Sequence, residues 1–151
     1  MGAVALSGQD TFVINNYVFV GLADQNYVEI TFPNNIMNVK IGKNGNAIYG
    51  FNESGKLAEV KVRAIRGGAD DKFLNGLLTQ QQQNAAGTPL LQGQYAKKLG
   101  DGQGNLTSDT YILGGGVFAK IPEGKSSADG EVEQSVAIYM LNFTTAPRVL
   151  T

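Results

Sequence analysis

A chain of 151 residues with 42% hydrophobic and 17% charged residues has the apolar material for a packed core, and 12 Lys and Arg against 13 Asp and Glu leave a formal charge of −1. That balance excludes a disordered chain and lacks the basic excess of a dedicated nucleic-acid binder. With neither cysteine nor histidine, the chain has no route to disulfides, thiolate metal sites or Cys nucleophiles, and it lacks the commonest general base.

Met1–Leu6 carries no Lys or Arg and is too short for the apolar stretch of a signal peptide. No segment approaches the roughly 20 apolar residues of a membrane span, so no membrane partner is expected. Residues 11–20 (TFVINNYVFV) place Phe12, Ile14, Val18 and Val20 at even positions, as on one face of a strand; Asn16 breaks that face, and a bulge or tight bend at Asn15-Asn16 reads equally well. Residues 27–32 alternate cleanly, with Val28, Ile30 and Phe32 on one side, until Pro33-Asn34-Asn35 ends the strand. Short apolar runs at 36–41 and 47–51 flank Gly42–Asn46. Asn44-Gly45 is the strongest hairpin signal in the chain and predicts a type I′ turn, which needs positive φ at both positions. A second turn at Asn52–Gly55 completes a hairpin arm near 40–56.

Lys56–Arg66 is the clearest strand. Ala58, Val60, Val62 and Ala64 form a small core face, and Glu59, Lys61 and Arg63 a wet one. After Gly67-Gly68 a helix is expected near 70–84, capped by Asp70 or Asp71, with Phe73, Leu74, Leu77 and Leu78 as its apolar stripe. Three further strands are read at Leu90–Leu99, Asp109–Ile121 and Glu131–Phe143, separated by the turn Gly100–Asn105 and the polar loop Pro122–Gly130. The expected fold is mainly β, a single domain over 1–151, built as an antiparallel β-barrel or sandwich with one short α-helix. Closing the sheet would remove exposed edges.

Catalytic chemistry finds little support. Gly114-Gly115-Gly116 is followed by the strand-like Val117–Ile121 and not by a helix N-terminus, so it reads as a bend and not a phosphate cradle. Gly100–Gly104 with Asp109 lacks the Asp/Asn ladder and closing Glu of a calcium loop. Capping accounts for Asp70 and Asp71, and solvation accounts for Asp129, Glu131 and Glu133. No catalytic residue, cofactor or metal is expected. Charge is more informative: residues 1–35 carry Asp10, Asp24 and Glu29 and no base, whereas 36–66 carry Lys40, Lys43, Lys56, Lys61, Arg63 and Arg66 against Glu53 and Glu59. Opposite local signs suit head-to-tail contact between copies, and scattered surface charge on a monomer accounts for them as well.

Four passages, in this order, resemble the small tail tube proteins of long-tailed bacteriophages, particularly those with contractile tails. They are Gly21–Ile30 (small residue and Gly, then Asp, then strand), Val39–Ala47 (a Val-x-x-Gly-x-Asn-Gly hairpin), Gly55–Val62 (Gly, then alternation) and Asp71–Leu78 (the family's single helix). The resemblance implies a β-barrel subunit, related by fold to bacterial secretion-system tube proteins. By the same resemblance its copies would form hexameric rings stacked head-to-tail into a hollow tube that conducts double-stranded DNA without sequence-specific binding. The protein would be made in the host cytoplasm and reside in the virion tail. It would meet sheath, baseplate and terminator proteins there if the tail contracts. A globule of this length has a radius of gyration of about 15 Å, so no single copy encloses a duplex. Lys40, Lys43 and Asn44 in the arm, Glu59, Lys61 and Arg63 on the wet face, and Glu131 and Glu133 are the candidates for inter-subunit or lumen positions. The alternatives are another virion component (baseplate or decoration protein) and a β-rich ligand-binding module.

Overall fold

The computed structural model describes residues 3–22, 27–124 and 136–151. In chain order these hold β1 (Ala5–Ile14), β2 (Tyr17–Val18), β3 (Val28–Thr31), β4 (Met37–Ile41), β5 (Ala47–Phe51) and β6 (Ala58–Ile65). They continue with α1 (Ala69–Gln83), β7 (Leu91–Gly100), β8 (Leu106–Lys120), β9 (Val136–Thr145) and β10 (Arg148–Leu150). The fold is mainly β, with antiparallel sheets and one short helix. The main sheet runs β2-β1-β7-β8-β9-β6-β3, with β10 also paired to β8, and β4-β5 form a separate two-stranded sheet.

β6 shows why the main sheet forms where it does. Alternation sends Ala58, Val60, Val62 and Ala64 to one side, and all four are fully buried. β9 runs antiparallel to it, from Ala58 opposite Phe143 to Ile65 opposite Val136, and contributes Tyr139, Leu141 and Phe143 to the same core. Phe12 and Ile14 of β1, Leu91 of β7 and Leu113 and Phe118 of β8 complete it. α1 lies over this core through Leu74 and Leu78, with Phe73 and Leu77 packed at its margin, so the apolar stripe read from the sequence is the face the helix buries.

The segment after β2 ties that end of the strand path to β6, the next-to-last strand at the other end. Phe19 donates its N–H to Phe12 O (3.0 Å), Gly21 O accepts from Ile65 N (3.1 Å), and Leu22 bridges Ala64. The sheet thereby folds over on itself as an antiparallel sandwich around a shared core.

Several expectations need correction. The helix spans 69–83 and its N-cap is Gly68, without a side-chain cap bond. Asp70 and Asp71 sit one and two places inside the first turn, where partners from across the fold reach them. The buried Asp70 carboxylate accepts from Tyr17 Oη (2.9 Å), Val20 N (3.1 Å) and Gly21 N (2.5 Å). Asp71 accepts from Gly67 N (2.8 Å) and Tyr139 Oη (2.5 Å). The helix dipole still favours both carboxylates, but their work is to staple the helix to the β2 segment and to β9.

The tight bend read at Asn15-Asn16 is present, whereas the type I′ turn expected at Asn44-Gly45 is not. Both Asn15 (φ 50°) and Asn16 (φ 67°) have positive φ and form the two-residue turn joining β1 to β2. At the other hairpin only Gly45 does (φ 80°): Gly45 N bonds Gly42 O (3.1 Å), and Gly42 N bonds Asn46 O (2.7 Å). That is the longer loop in which a glycine in the left-handed region follows the turn, not a type I′ turn.

β8 starts three residues earlier than read and runs through the glycine triplet. Gly115 has φ 65°, and a side chain at Gly116 would collide with the Phe143 ring, so the triplet marks a close approach. Where β7 ends opposite Gly116, Gln81 of α1 takes over that edge of β8, accepting from Phe118 N (2.8 Å) and donating to Phe118 O (3.0 Å). Gly100–Asn105 is a turn whose Asp101 carboxylate is satisfied internally by Gln103 N and by the backbone and side chain of Asn105. β10 has no counterpart in the sequence reading. Residues 125–130 of the polar loop and residues 131–135 of the last expected strand lie outside the described residues.

Candidate assembly interface

The arm is a long exposed stretch of the described chain. Among the described residues β4 and β5 pair only with each other, and every residue from 37 to 51 is exposed. Their register sets Met37 opposite Phe51, Val39 opposite Tyr49 and Ile41 opposite Ala47. By period-2 alternation these six side chains share one face of the ribbon, and that face is entirely apolar. The other face carries Asn38, Lys40, Ile48 and Gly50.

The base of the arm is fixed by hydrogen bonds. Asn52 donates its N–H to Ile36 O (2.8 Å) and its side-chain amide to Asn35 O (3.0 Å), and Asn34 donates to Ser54 O (3.2 Å). A 3₁₀ turn at Glu53–Lys56 follows, with Gly55 buried against the Asn35–Ile36 backbone where no side chain fits. The arm thus covers 37–51, somewhat before the expected 40–56, and this turn forms its shoulder. Beside it lies an open apolar groove of about 580 Å³, walled by Phe32, Ile36, Ala146 and Pro147.

The sequence-selected residues fall into two groups. Lys40 lies on the mixed face of the arm opposite Ile48, and Lys43 and Asn44 form its tip. Glu59, Lys61 and Arg63 share the outward face of β6 in the main sheet. There Glu59 stands between Thr31 and Asn142, Lys61 between Glu29 and Met140, and Arg63 beside Ile138. That face is half-buried where a wet one was expected, because β3 and β9 flank β6 on both sides and their side chains crowd it. Glu131 and Glu133 lie outside the described residues.

A polar clasp also closes the body near its edge. Asp10 of β1 accepts from Tyr27 Oη just before β3 and from Lys97 Nζ of β7 (3.1 Å). Burial first, and then the bond to Asp10, pushes the Tyr27 hydroxyl above its ordinary range. Burial and the Asp71 bond do the same for Tyr139. β10 is held by the Arg148 fork on Asp109 (2.8 and 2.9 Å), which draws the Asp109 carboxyl below the usual carboxylate range. Among the described residues no group of three or more His, Cys, Asp or Glu is placed to hold a metal ion, and no helix is long and apolar enough to cross a membrane.

The chain matches no protein-family model, and no curated protein matches its sequence.

The arm's uncovered apolar face is the feature that sequence reasoning passed over. Its signal was present in the alternation of Met37, Val39 and Ile41 against Ala47, Tyr49 and Phe51. What the alternation does not carry is that this face is exposed in the fold.

Proposed function

We propose that this protein is a structural subunit that acts by polymerising, in the manner of the tail tube proteins its sequence resembles. Copies form stacked, hexameric rings around a channel for double-stranded DNA, and sheath, baseplate and terminator proteins are the further partners in a virion tail. One observation carries the reading: a two-stranded arm whose six-residue apolar face is exposed along its whole length, with the Lys56 ammonium over the Phe51 ring (5.4 Å) at its base. An isolated two-stranded hairpin is at best marginally stable in water, and contiguous exposed apolar surface marks an interaction site. A neighbouring copy supplies the missing layer, and the groove beside the shoulder offers an apolar socket for it.

The outward face of β6 supports the same reading, because Glu29, Glu59, Lys61 and Arg63 mix both signs on one wall. A wall of mixed sign with a net charge of −1 per subunit does not hold phosphates, as a conduit requires. Reversing Lys61 and Arg63 to Glu together, which sets a like charge opposite Glu29 at position 61 and removes both bases from the wall, impairs assembly. Tubes of normal length from that variant would remove this face from the interface.

Negative-stain microscopy of the purified protein, with sedimentation at increasing concentration, tests the proposal. Rings or tubes are the expected result. A monodisperse monomer or trimer at high concentration contradicts it and favours a baseplate or decoration component or a ligand-binding module.

A further inference from the structure

The sequence contains two Asn-Gly pairs, Asn44-Gly45 and Asn75-Gly76, and all four residues are exposed. Asn-Gly is the dipeptide in which the following backbone nitrogen is least hindered from reaching the asparagine side chain, because glycine has no Cβ. The two pairs differ in backbone alone. Asn75-Gly76 lies in the middle of α1, where the Gly76 amide is bonded to the carbonyl four residues earlier and φ and ψ are held by the turns on either side. Asn44-Gly45 lies at the tip of the arm. There the Gly45 N–H makes a single bond, to Gly42 O (3.1 Å), and a Cβ built on Gly45 meets nothing within 4 Å. Among the described residues the Asn44 side chain has no hydrogen-bond partner that would hold it away from the backbone.

We propose that Asn44 is a site of spontaneous covalent modification, converting to aspartate and isoaspartate in the folded protein while Asn75 is protected. The Gly45 nitrogen gives its proton to hydroxide and attacks Asn44 Cγ. The N–Cγ bond forms, the Cγ–Nδ2 bond breaks, and the side-chain nitrogen takes a proton from water and leaves as ammonia, regenerating the hydroxide. Water then opens the resulting five-membered imide at either carbonyl. Opening at one leaves an ordinary aspartate; opening at the other leaves the main chain running through Cβ. No electron transfer is involved, and hydroxide and water are the only other reactants.

Either product adds a negative charge beside Lys43, and the isoaspartate lengthens the loop that sets Ile41 opposite Ala47. The chemistry requires no assembly: it needs the arm tip exposed, as it is in the dilute, unassembled subunit on which the test is run.

The test is incubation of the folded full-length protein in dilute solution at mildly alkaline pH, followed by trypsin and tandem mass spectrometry. Cleavage after Lys43 and Lys56 isolates residues 44–56 from the peptide that carries Asn75. The expected result is conversion at Asn44 exceeding that at Asn75 by about 10-fold or more, since a helix interior opens far more rarely than an exposed turn. In the urea-unfolded protein the two sites should convert at similar rates. Equal conversion in the folded protein overturns the proposal, as does conversion within 44–56 that maps to Asn46 or Asn52 instead of Asn44. An Asn44→Gln variant should lose the early product, and its persistence would also overturn the assignment.

Discussion

β6 and the β4–β5 arm are written in the same local code and meet opposite fates. Both alternate apolar residues with period 2, and both form antiparallel pairs. Yet Ala58, Val60, Val62 and Ala64 are fully buried, whereas Met37, Val39, Ile41, Tyr49 and Phe51 are exposed. The difference lies in what stands opposite. β6 has β9 and β3 as neighbours and α1 with the rest of the core beneath it; among the described residues each strand of the arm pairs only with the other. Alternation dictates a strand with one apolar face, and tertiary structure decides whether that face is satisfied within the chain or left for another molecule.

If this contrast holds, substitutions in the body should act on the fold, and substitutions in the arm should act on association. Leu141→Ala removes a fully buried side chain and should cost about 2–5 kcal/mol in denaturant unfolding. Asp70→Ala strands the Tyr17 hydroxyl and two backbone amides and should cost about 3 kcal/mol. A loss below about 1 kcal/mol would show that the staple contributes little.

Alkali should come next. The Tyr27 and Tyr139 hydroxyls are held above their unfolded values, so their contribution is intact below about pH 10 and is lost as pH rises beyond it. Replacing both with Phe should flatten the alkaline limb of a stability–pH profile. On the acid side Asp109 is held below its unfolded value, so its contribution is present above about pH 4 and lost as pH falls further. Arg148→Ala should remove that small acid dependence and increase hydrogen exchange in β10. Replacing Val39, Ile41 and Tyr49 together with Ser should shift subunit stability least, by under about 0.5 kcal/mol, while abolishing assembly. A large loss of subunit stability would mean that the arm's apolar face is covered by its own chain.

The β6 strand, the helix stripe and the mainly β class were legible because each rests on periodicity within a few turns or pleats. The arm was legible as a hairpin but not as an interface, because exposure is a property of the whole fold. The type I′ expectation at the arm tip failed for a related reason. Asn44-Gly45 carries the stronger local signal, yet the two-residue turn with positive φ belongs to Asn15-Asn16, where Asn15 is pinned to Gln92 by backbone and side-chain bonds. β10 escaped notice because three residues after Pro147 show no alternation; its place comes from pairing with β8 and from the Arg148–Asp109 fork. The role of Asp70 was obscured because its partners lie about fifty positions away in the chain.

Hydrogen–deuterium exchange of residues 37–51, followed from dilute to concentrated protein, tests the central claim most directly. If another copy covers the arm, its amides should exchange quickly in dilute solution and slow down as oligomers form, while those of β6 stay protected throughout. Arm amides that exchange at one rate across the whole concentration range, in a protein that remains monomeric, would contradict the account.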